Sequence, residues 1–69
     1  MSVITFRSKT PRKQIGAIRR FLKRFELTIR PTEEGSEAWR VYDVSGQPTD
    51  LPADVKTWLN QSCYISDIS

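Results

Sequence analysis

Residues 10–25, TPRKQIGAIRRFLKRF, carry the strongest periodic pattern in this chain. At about 100° per residue around a helix axis, the cations fall on one arc and the large apolar side chains fall on the other side. The arc of roughly 140° contains Arg12, Lys13, Gly16, Arg19, Arg20, Lys23 and Arg24. The apolar stripe contains Ile15, Ile18, Phe21, Leu22 and Phe25. The stretch therefore predicts a helix with one buried face and one charged face.

The predicted start of this helix is electrostatically unfavourable. Thr10 is a suitable N-cap, and Pro11 fits the first helical position. Arg12 and Lys13 would then lie at the positive end of the helix dipole, with Lys9 just upstream. An external anion such as a phosphate would relieve this arrangement and bind the free N–H groups of the first turn.

Length and composition predict one small domain, residues 1–69. The chain has 69 residues, of which 38% are hydrophobic and 10% aromatic, enough for a single small core. No apolar run approaches the ~18 residues that span a bilayer, and residues 1–25 lack the apolar region of a signal peptide. We therefore expect a cytoplasmic protein without membrane contact.

The charges are distributed unevenly along the chain. Residues 1–25 contain eight basic side chains and no acidic one, whereas residues 26–69 contain three basic and eight acidic side chains. The net charge of +3 conceals this asymmetry. Such a bias indicates that the first part of the chain faces a negatively charged partner.

Three segments are predicted to be β-strands: Ser2–Arg7, Glu26–Arg30 and Ala38–Val44. The first two alternate with period two, as half-buried strands do. The third segment is apolar on both faces, which favours a central strand. Between the second and third, Pro31–Glu37 reads as an exposed hairpin loop of seven residues. Residues 45–48, SGQP, form a turn.

A second helix is predicted after that turn. Thr49 or Asp50 can cap it, and Pro52 fits its first turn. Its core face would be Val55, Trp58 and Leu59. Residues 63–69 fit a helix extension through Ile65 and Ile68, a strand, or a frayed end. The expected fold is a two-layer α+β domain of order β-α-β-β-α, with two helices packed on one face of a three-stranded sheet.

Composition also excludes most catalytic and metal sites. Histidine is absent and Cys63 is the only cysteine, which we expect to be a small buried apolar residue. Glu33, Glu34 and Glu37 fit a solvated loop better than acid–base catalysis. A metal-independent nuclease would not need histidine, but no motif supports one. We therefore predict a protein that is not an enzyme and needs no cofactor or metal.

The leading functional hypothesis is nucleic-acid binding in a regulatory role, with DNA favoured over RNA. The predicted binding residues are Lys9, Arg12, Lys13, Gly16, Arg19, Arg20, Lys23 and Arg24, with secondary contacts from Arg7, Arg40 and Tyr42. Gly16 has two readings: it allows close approach of a nucleic-acid backbone, or it tolerates an irregular first turn. Tyr42 or Trp39 is either core or a stacking surface.

Two other partners use the same charges. An adaptor or inhibitor could dock its basic helix on an acidic protein. Binding to anionic lipid would need a free apolar face, which the core is expected to consume. The acidic loop could also occupy the basic face of a second copy, giving a salt-sensitive head-to-tail homodimer.

Overall fold

The chain folds into two helices and a four-stranded antiparallel sheet. The computed structural model describes residues 2–32 and 35–69, and of residues 35 and 36 it describes the backbone alone. Along the chain lie β1 (Val3–Phe6), α1 (Arg12–Lys23), β2 (Thr28–Thr32), β3 (Gly35–Tyr42), α2 (Ala53–Asn60) and β4 (Ile65–Ile68). The strand order in the sheet is β2-β3-β1-β4. The α+β class and the inner position of β3 are confirmed, but the prediction of three strands was wrong.

The fourth strand comes from the segment predicted to be helical, strand-like or frayed. β4 pairs antiparallel with β1, matching Ile4 with Ile68 and Phe6 with Ile65. Residues three apart on a regular strand point to opposite faces, yet Ile65 and Ile68 are both buried. A register shift opposite Thr5 and Phe6 accounts for this, because the extra residue in β4 turns both isoleucines inward. A period-two pattern cannot reveal a bulged strand of four residues.

One face of the sheet carries the core. Ile4, Phe6, Ile29 and Val41 project from it and are almost fully buried. Ile18 and Leu22 of α1, with Val55 and Leu59 of α2, belong to the same buried cluster. Both helices therefore cover this one face, as predicted, and the other face stays open.

Two aromatic residues assigned to the core lie at its surface instead. Trp58 is 50% exposed and Phe25 is 42% exposed. Phe21, which is half-buried, stacks on Trp58 with ring centroids 4.1 Å apart and meets Phe25 edge-on at 5.3 Å. Phe25 lies beyond α1, which ends at Lys23, so it leaves the apolar stripe. The three rings, Phe21, Phe25 and Trp58, form an aromatic cluster across the α1–α2 seam.

The predicted N-caps were also wrong. Pro11 is the N-cap of α1 and Pro52 is the N-cap of α2, and neither helix has a side-chain cap. The Thr10 hydroxyl instead donates to the carbonyls of Arg7 at 2.8 Å and Tyr64 at 3.2 Å. Thr10 therefore ties the β1–α1 corner to the start of β4.

The β2–β3 hairpin is tighter than the predicted seven-residue loop. β2 continues to Thr32 and β3 begins at Gly35, so both strands extend into the Pro31–Glu37 segment. Glu37 consequently lies on β3, while Glu33 and Glu34 lie outside the described residues. The proline, the glycine and the three glutamates of this segment favour a loop, so the sequence does not predict this pairing.

The C-terminal end of α1 is closed by a residue in left-handed conformation. Glu26 has φ of 61°, and its N–H donates to the Lys23 carbonyl at 3.1 Å. The Leu27 N–H donates to the Leu22 carbonyl at 3.1 Å, and both leucines are buried. These two bonds form a Schellman motif, which normally places glycine at the left-handed position.

Replacing Glu26 with glycine should stabilise the domain. A non-glycine residue in this conformation is strained by about 1–2 kcal/mol, and the greater freedom of glycine in the unfolded chain offsets part of the relief. We expect Glu26→Gly to raise the free energy of unfolding by about 0.5–1 kcal/mol in urea titrations. Glu26→Ala is the matched control and should give no such gain. Equal effects of the two substitutions would contradict this account.

The turn after β3 is organised by one carboxylate. Asp43 Oδ1 accepts hydrogen bonds from the Ser45 hydroxyl at 2.6 Å, the Ser45 N–H at 2.9 Å and the Gln47 N–H at 3.0 Å. Gly46, with φ of 86°, completes the turn. The Ser45 hydroxyl, followed by the Gln47 N–H, holds the pKa of Asp43 below its ordinary value of 3.8.

Asp43 should make the stability of the domain depend on acid pH. A carboxyl with a lowered pKa in the folded state stabilises above its unfolded pKa, and this contribution is lost as pH falls through the folded pKa. We expect wild type to be more stable than Asp43→Ala at neutral pH, with the difference shrinking as the pH falls to about 2. Asp43→Asn is the control, because its amide does not titrate. A gap between wild type and Asp43→Ala that is independent of pH would refute the prediction.

Candidate polyanion-binding site

The basic face of α1 projects into solvent. Arg12, Lys13, Arg19, Arg20, Lys23 and Arg24 are all exposed, as are Arg7 and Lys9 before the helix. The first turn contains no acidic residue. Within residues 2–32 and 37–69, none of these eight cations forms an ion pair with a carboxylate. The basic face is therefore not neutralised by the described part of the chain.

A large cleft runs along one side of this face, between the N-terminal half of α1 and the ends of the strands. Its volume is about 580 Å³, and we call it the α1–sheet cleft. Arg12, Gly16 and Arg19 line it from the helix. Arg7 closes it from the end of β1, and Pro31, Glu37 and Trp39 line it from the hairpin. The cleft thus combines three guanidinium groups with an apolar wall.

A smaller groove of about 240 Å³ lies further along the helix, towards its C-terminal end. Gly16, Arg19, Arg20 and Lys23 line it, together with Thr28 at the start of β2. Gly16 and Arg19 border both depressions, so they lie at the centre of the predicted site. Lys9, Lys13 and Arg24 are exposed but line neither depression.

Arg7 is positioned by the segment that leads into β4. Its Nε donates to the Cys63 carbonyl at 2.7 Å, and its backbone N–H donates to the Tyr64 carbonyl at 2.9 Å. This leaves the terminal guanidinium nitrogens beside the α1–sheet cleft. A guanidinium held in place loses less conformational entropy when it binds an anion. From the sequence, Arg7 is predicted to have only a secondary role, because the pairing of β1 with β4 is not visible there.

Arg40 and Tyr42 lie apart from the helix. They alternate along β3 with Trp39 and Val41, so they project from the open face of the sheet, opposite the helices. Arg30 pairs with Arg40 in register, and its guanidinium lies 5.3 Å from the centre of the Tyr42 ring. The Arg40 Nε is buried and has no hydrogen-bond partner among the described residues. Arg40 and Tyr42, two of the three predicted secondary contacts, therefore belong to a different surface from the α1 cations.

Gly16 sits inside a regular helical segment. α1 is continuous from Arg12 to Lys23, so the reading of Gly16 as a first-turn irregularity finds no support. A methyl group at this position would meet only the Arg20 Nη1 atom at 3.6 Å, an ordinary contact. The internal packing of the protein therefore gives no reason for glycine here.

Comparisons with known proteins give no family or relative. No protein-family model matches the chain. Neither the curated proteins nor the solved structures contain a significant match. Function must therefore be argued from the residues and geometry of the site.

Cys63 is exposed, so the prediction that it is a small buried residue was wrong. It lies just before β4, where its carbonyl accepts the hydrogen bond from Arg7. Over the described residues there is no group of three or more potential metal-ligating side chains. No helix in the same part of the chain is long and apolar enough to cross a membrane.

Sequence reasoning missed Glu37 and Trp39 as neighbours of the basic face. Local patterns predict a solvated loop for Glu37 and a core or stacking role for Trp39. In the structure both residues line the α1–sheet cleft together with Arg12 and Arg19. Placing them there requires the pairing of β3 with β1 and β2, which local patterns in the sequence do not reveal.

Replacing Gly16 with alanine should stabilise the protein, because there is room for the methyl group and alanine favours helix. We expect Gly16→Ala to raise the free energy of unfolding by up to about 1 kcal/mol. Ala17→Gly, at the next and exposed position of the same helix, should lower it by a similar amount. Chemical denaturation of both variants measures the difference. A loss of stability in Gly16→Ala would show that packing requires the glycine.

Proposed function

We propose that this chain is a small, non-enzymatic nucleic-acid-binding protein in a regulatory role. It binds the phosphate backbone through the basic face of α1. The observation that carries the proposal is the exposed row of cations on that helix, none of which pairs with a carboxylate of the described residues. Its opposite stripe is held in the core by Ile18 and Leu22. The cations therefore face outward on a fixed support, which suits a regularly charged polymer.

The charge arrangement fits phosphates better than isolated carboxylates. Arg12 and Arg19 are seven residues apart, which is about 10 Å along the helix axis. Arg20 and Lys23 continue the row, so several phosphates could be contacted at once. Each contact would release a counterion and add affinity without base preference. Duplex DNA is the first expected partner, because its phosphate density is high and regular.

Gly16 supports close approach of such a backbone. It is the position on the basic face without a side chain, and it borders both depressions beside the helix. The fold has room for a methyl group at this position. Glycine forms helix less well than alanine, so its presence here favours ligand binding rather than packing of the core. The first turn of α1, with no acid and no side-chain cap, adds N–H groups that attract anions.

A second candidate function is docking on an acidic protein. It is favoured by the aromatic cluster of Phe21, Phe25 and Trp58, which is partly exposed where α1 ends. Aromatic and arginine side chains are enriched at the centres of protein interfaces. In this case Trp58→Ala would abolish partner capture, whereas nucleic-acid binding through α1 would not need that ring.

Salt-dependent binding to generic duplex DNA tests the proposed function. If about four phosphates are contacted, affinity should fall about a hundredfold between 50 mM and 200 mM salt. The double variant Arg20→Glu with Lys23→Glu should bind at least about tenfold more weakly at the lower salt concentration, with a smaller dependence on salt. Fluorescence anisotropy with labelled duplexes of unrelated sequence measures both quantities.

The matched control reverses two exposed cations elsewhere, with Arg30→Glu and Lys56→Glu. Each double variant changes the net charge by the same amount, so a loss confined to the α1 variant assigns binding to that face. Equal losses would indicate only a general charge effect. If wild type binds neither DNA nor RNA at low salt, nucleic-acid binding is refuted and an acidic protein becomes the expected partner.

A further inference from the structure

The α1–sheet cleft has a composition that phosphate binding alone does not explain. Its volume of about 580 Å³ lies within the range of clefts that hold small organic ligands, roughly 300–1,000 Å³. Phosphates need cations, but this cleft also has an apolar wall and a carboxylate. Both features point to a ligand with a flat, hydrogen-bonding group as well as negative charge.

The apolar wall is formed by Ile15, Pro31 and Trp39. Pro31 and Trp39 are register partners on neighbouring strands, so they lie side by side on the face that carries the core. The Trp39 ring is half-buried and stands nearly perpendicular to Phe6, at an interplanar angle of 87° and a centroid distance of 6.1 Å. This edge-on contact fixes the ring at the border between the core and the cleft.

Three arginines surround this wall. Arg12 and Arg19 lie about two turns apart on α1, and Arg7 approaches from the end of β1. The bond from Arg7 Nε to the Cys63 carbonyl, at 2.7 Å, sets the direction of its guanidinium. The cleft therefore has positive charge around an apolar centre, which matches the phosphates on either side of a nucleobase.

Glu37 is the one acidic residue among the described residues that line the cleft. Its carboxylate would repel a phosphate, so it would weaken the affinity of a site that bound phosphates alone. A carboxylate does, however, accept hydrogen bonds from the amino group of a base, as in the pairing of acidic side chains with cytosine N4. Such groups are engaged in base pairs within a duplex and are free in a single strand.

We propose that the α1–sheet cleft receives one unpaired, amino-bearing base of a single-stranded nucleic acid. The base packs against Trp39, its amino group donates to Glu37, and Arg7, Arg12 and Arg19 hold the adjacent phosphates. This inference rests on the proposed function and adds to it binding of single strands with a preference for particular bases. Cytosine, adenine and guanine carry the required amino group, whereas thymine and uracil do not.

The test compares binding of short oligo-dC and oligo-dT single strands of equal length. Wild type should bind oligo-dC about tenfold more tightly, because only cytosine offers the amino donor. Glu37→Ala should bring the two affinities to within about twofold of each other. Should Glu37 only repel phosphate, the variant would bind both strands more tightly and leave their ratio unchanged, which would overturn the proposal.

Tryptophan fluorescence locates the base independently. Trp58→Phe leaves Trp39 as the only tryptophan of the chain and keeps an aromatic ring beside Phe21. Oligo-dC should quench the Trp39 emission of this variant at concentrations that match its binding curve. Binding without quenching would place the base elsewhere and overturn the proposal.

Duplex DNA serves as the comparison that separates this inference from the proposed function. Salt-dependent duplex binding, combined with equal affinity for oligo-dC and oligo-dT and no quenching, would overturn the cleft proposal and leave the phosphate-binding function standing. Failure to bind either single strands or duplexes would overturn both. Quenching by an acidic peptide, where no oligonucleotide quenches, would assign the cleft to a protein partner and likewise refute the inference.

Discussion

The burial of Ile18 and Leu22 against the sheet determines how every charged group on α1 is presented. A helix has one free rotation about its own axis, and packing these two side chains into the core removes it. The cations must then face solvent together, although repulsion between neighbouring like charges destabilises the helix. The core stabilises an arrangement of charges that would be unfavourable in an isolated peptide. Without that anchoring, the basic residues would form a flexible tail rather than a surface of defined shape.

The same constraint places two depressions along the cationic row of α1. Beside the N-terminal half of the helix, Arg12, Gly16 and Arg19 line the cleft together with Pro31 and Trp39. Further along, Gly16, Arg19, Arg20 and Lys23 line the smaller groove with Thr28 at the start of β2. One row of positive charge thus borders two environments, one lined mainly by cations and the other by cations beside an apolar wall.

Much of this architecture is readable from local patterns. The two stripes of α1, the inward side chains of β1 and the inner position of β3 follow from periodicity alone, since each depends on residues close together in sequence. β4 could not be predicted because its bulge breaks the alternation of Ile65 and Ile68. Trp58 was misplaced because helical spacing does not say how wide the buried stripe is in so small a core. The cationic half of the candidate site was likewise predictable from composition, whereas Glu37 and the orientation of Arg7 depend on strand pairing between distant segments.

The hydrogen bonds from Arg7 and Thr10 to the carbonyls of Cys63 and Tyr64 connect the proposed site to the closure of the whole domain. These bonds join residues more than fifty positions apart, so they exist only when β4 is paired with β1. A ligand that requires Arg7 in this position binds only the state in which β4 is paired with β1. By mass action, such a ligand must strengthen the pairing of β1 with β4. For such a ligand, the resistance of that strand pair to local unfolding is thermodynamically linked to occupancy of the proposed site.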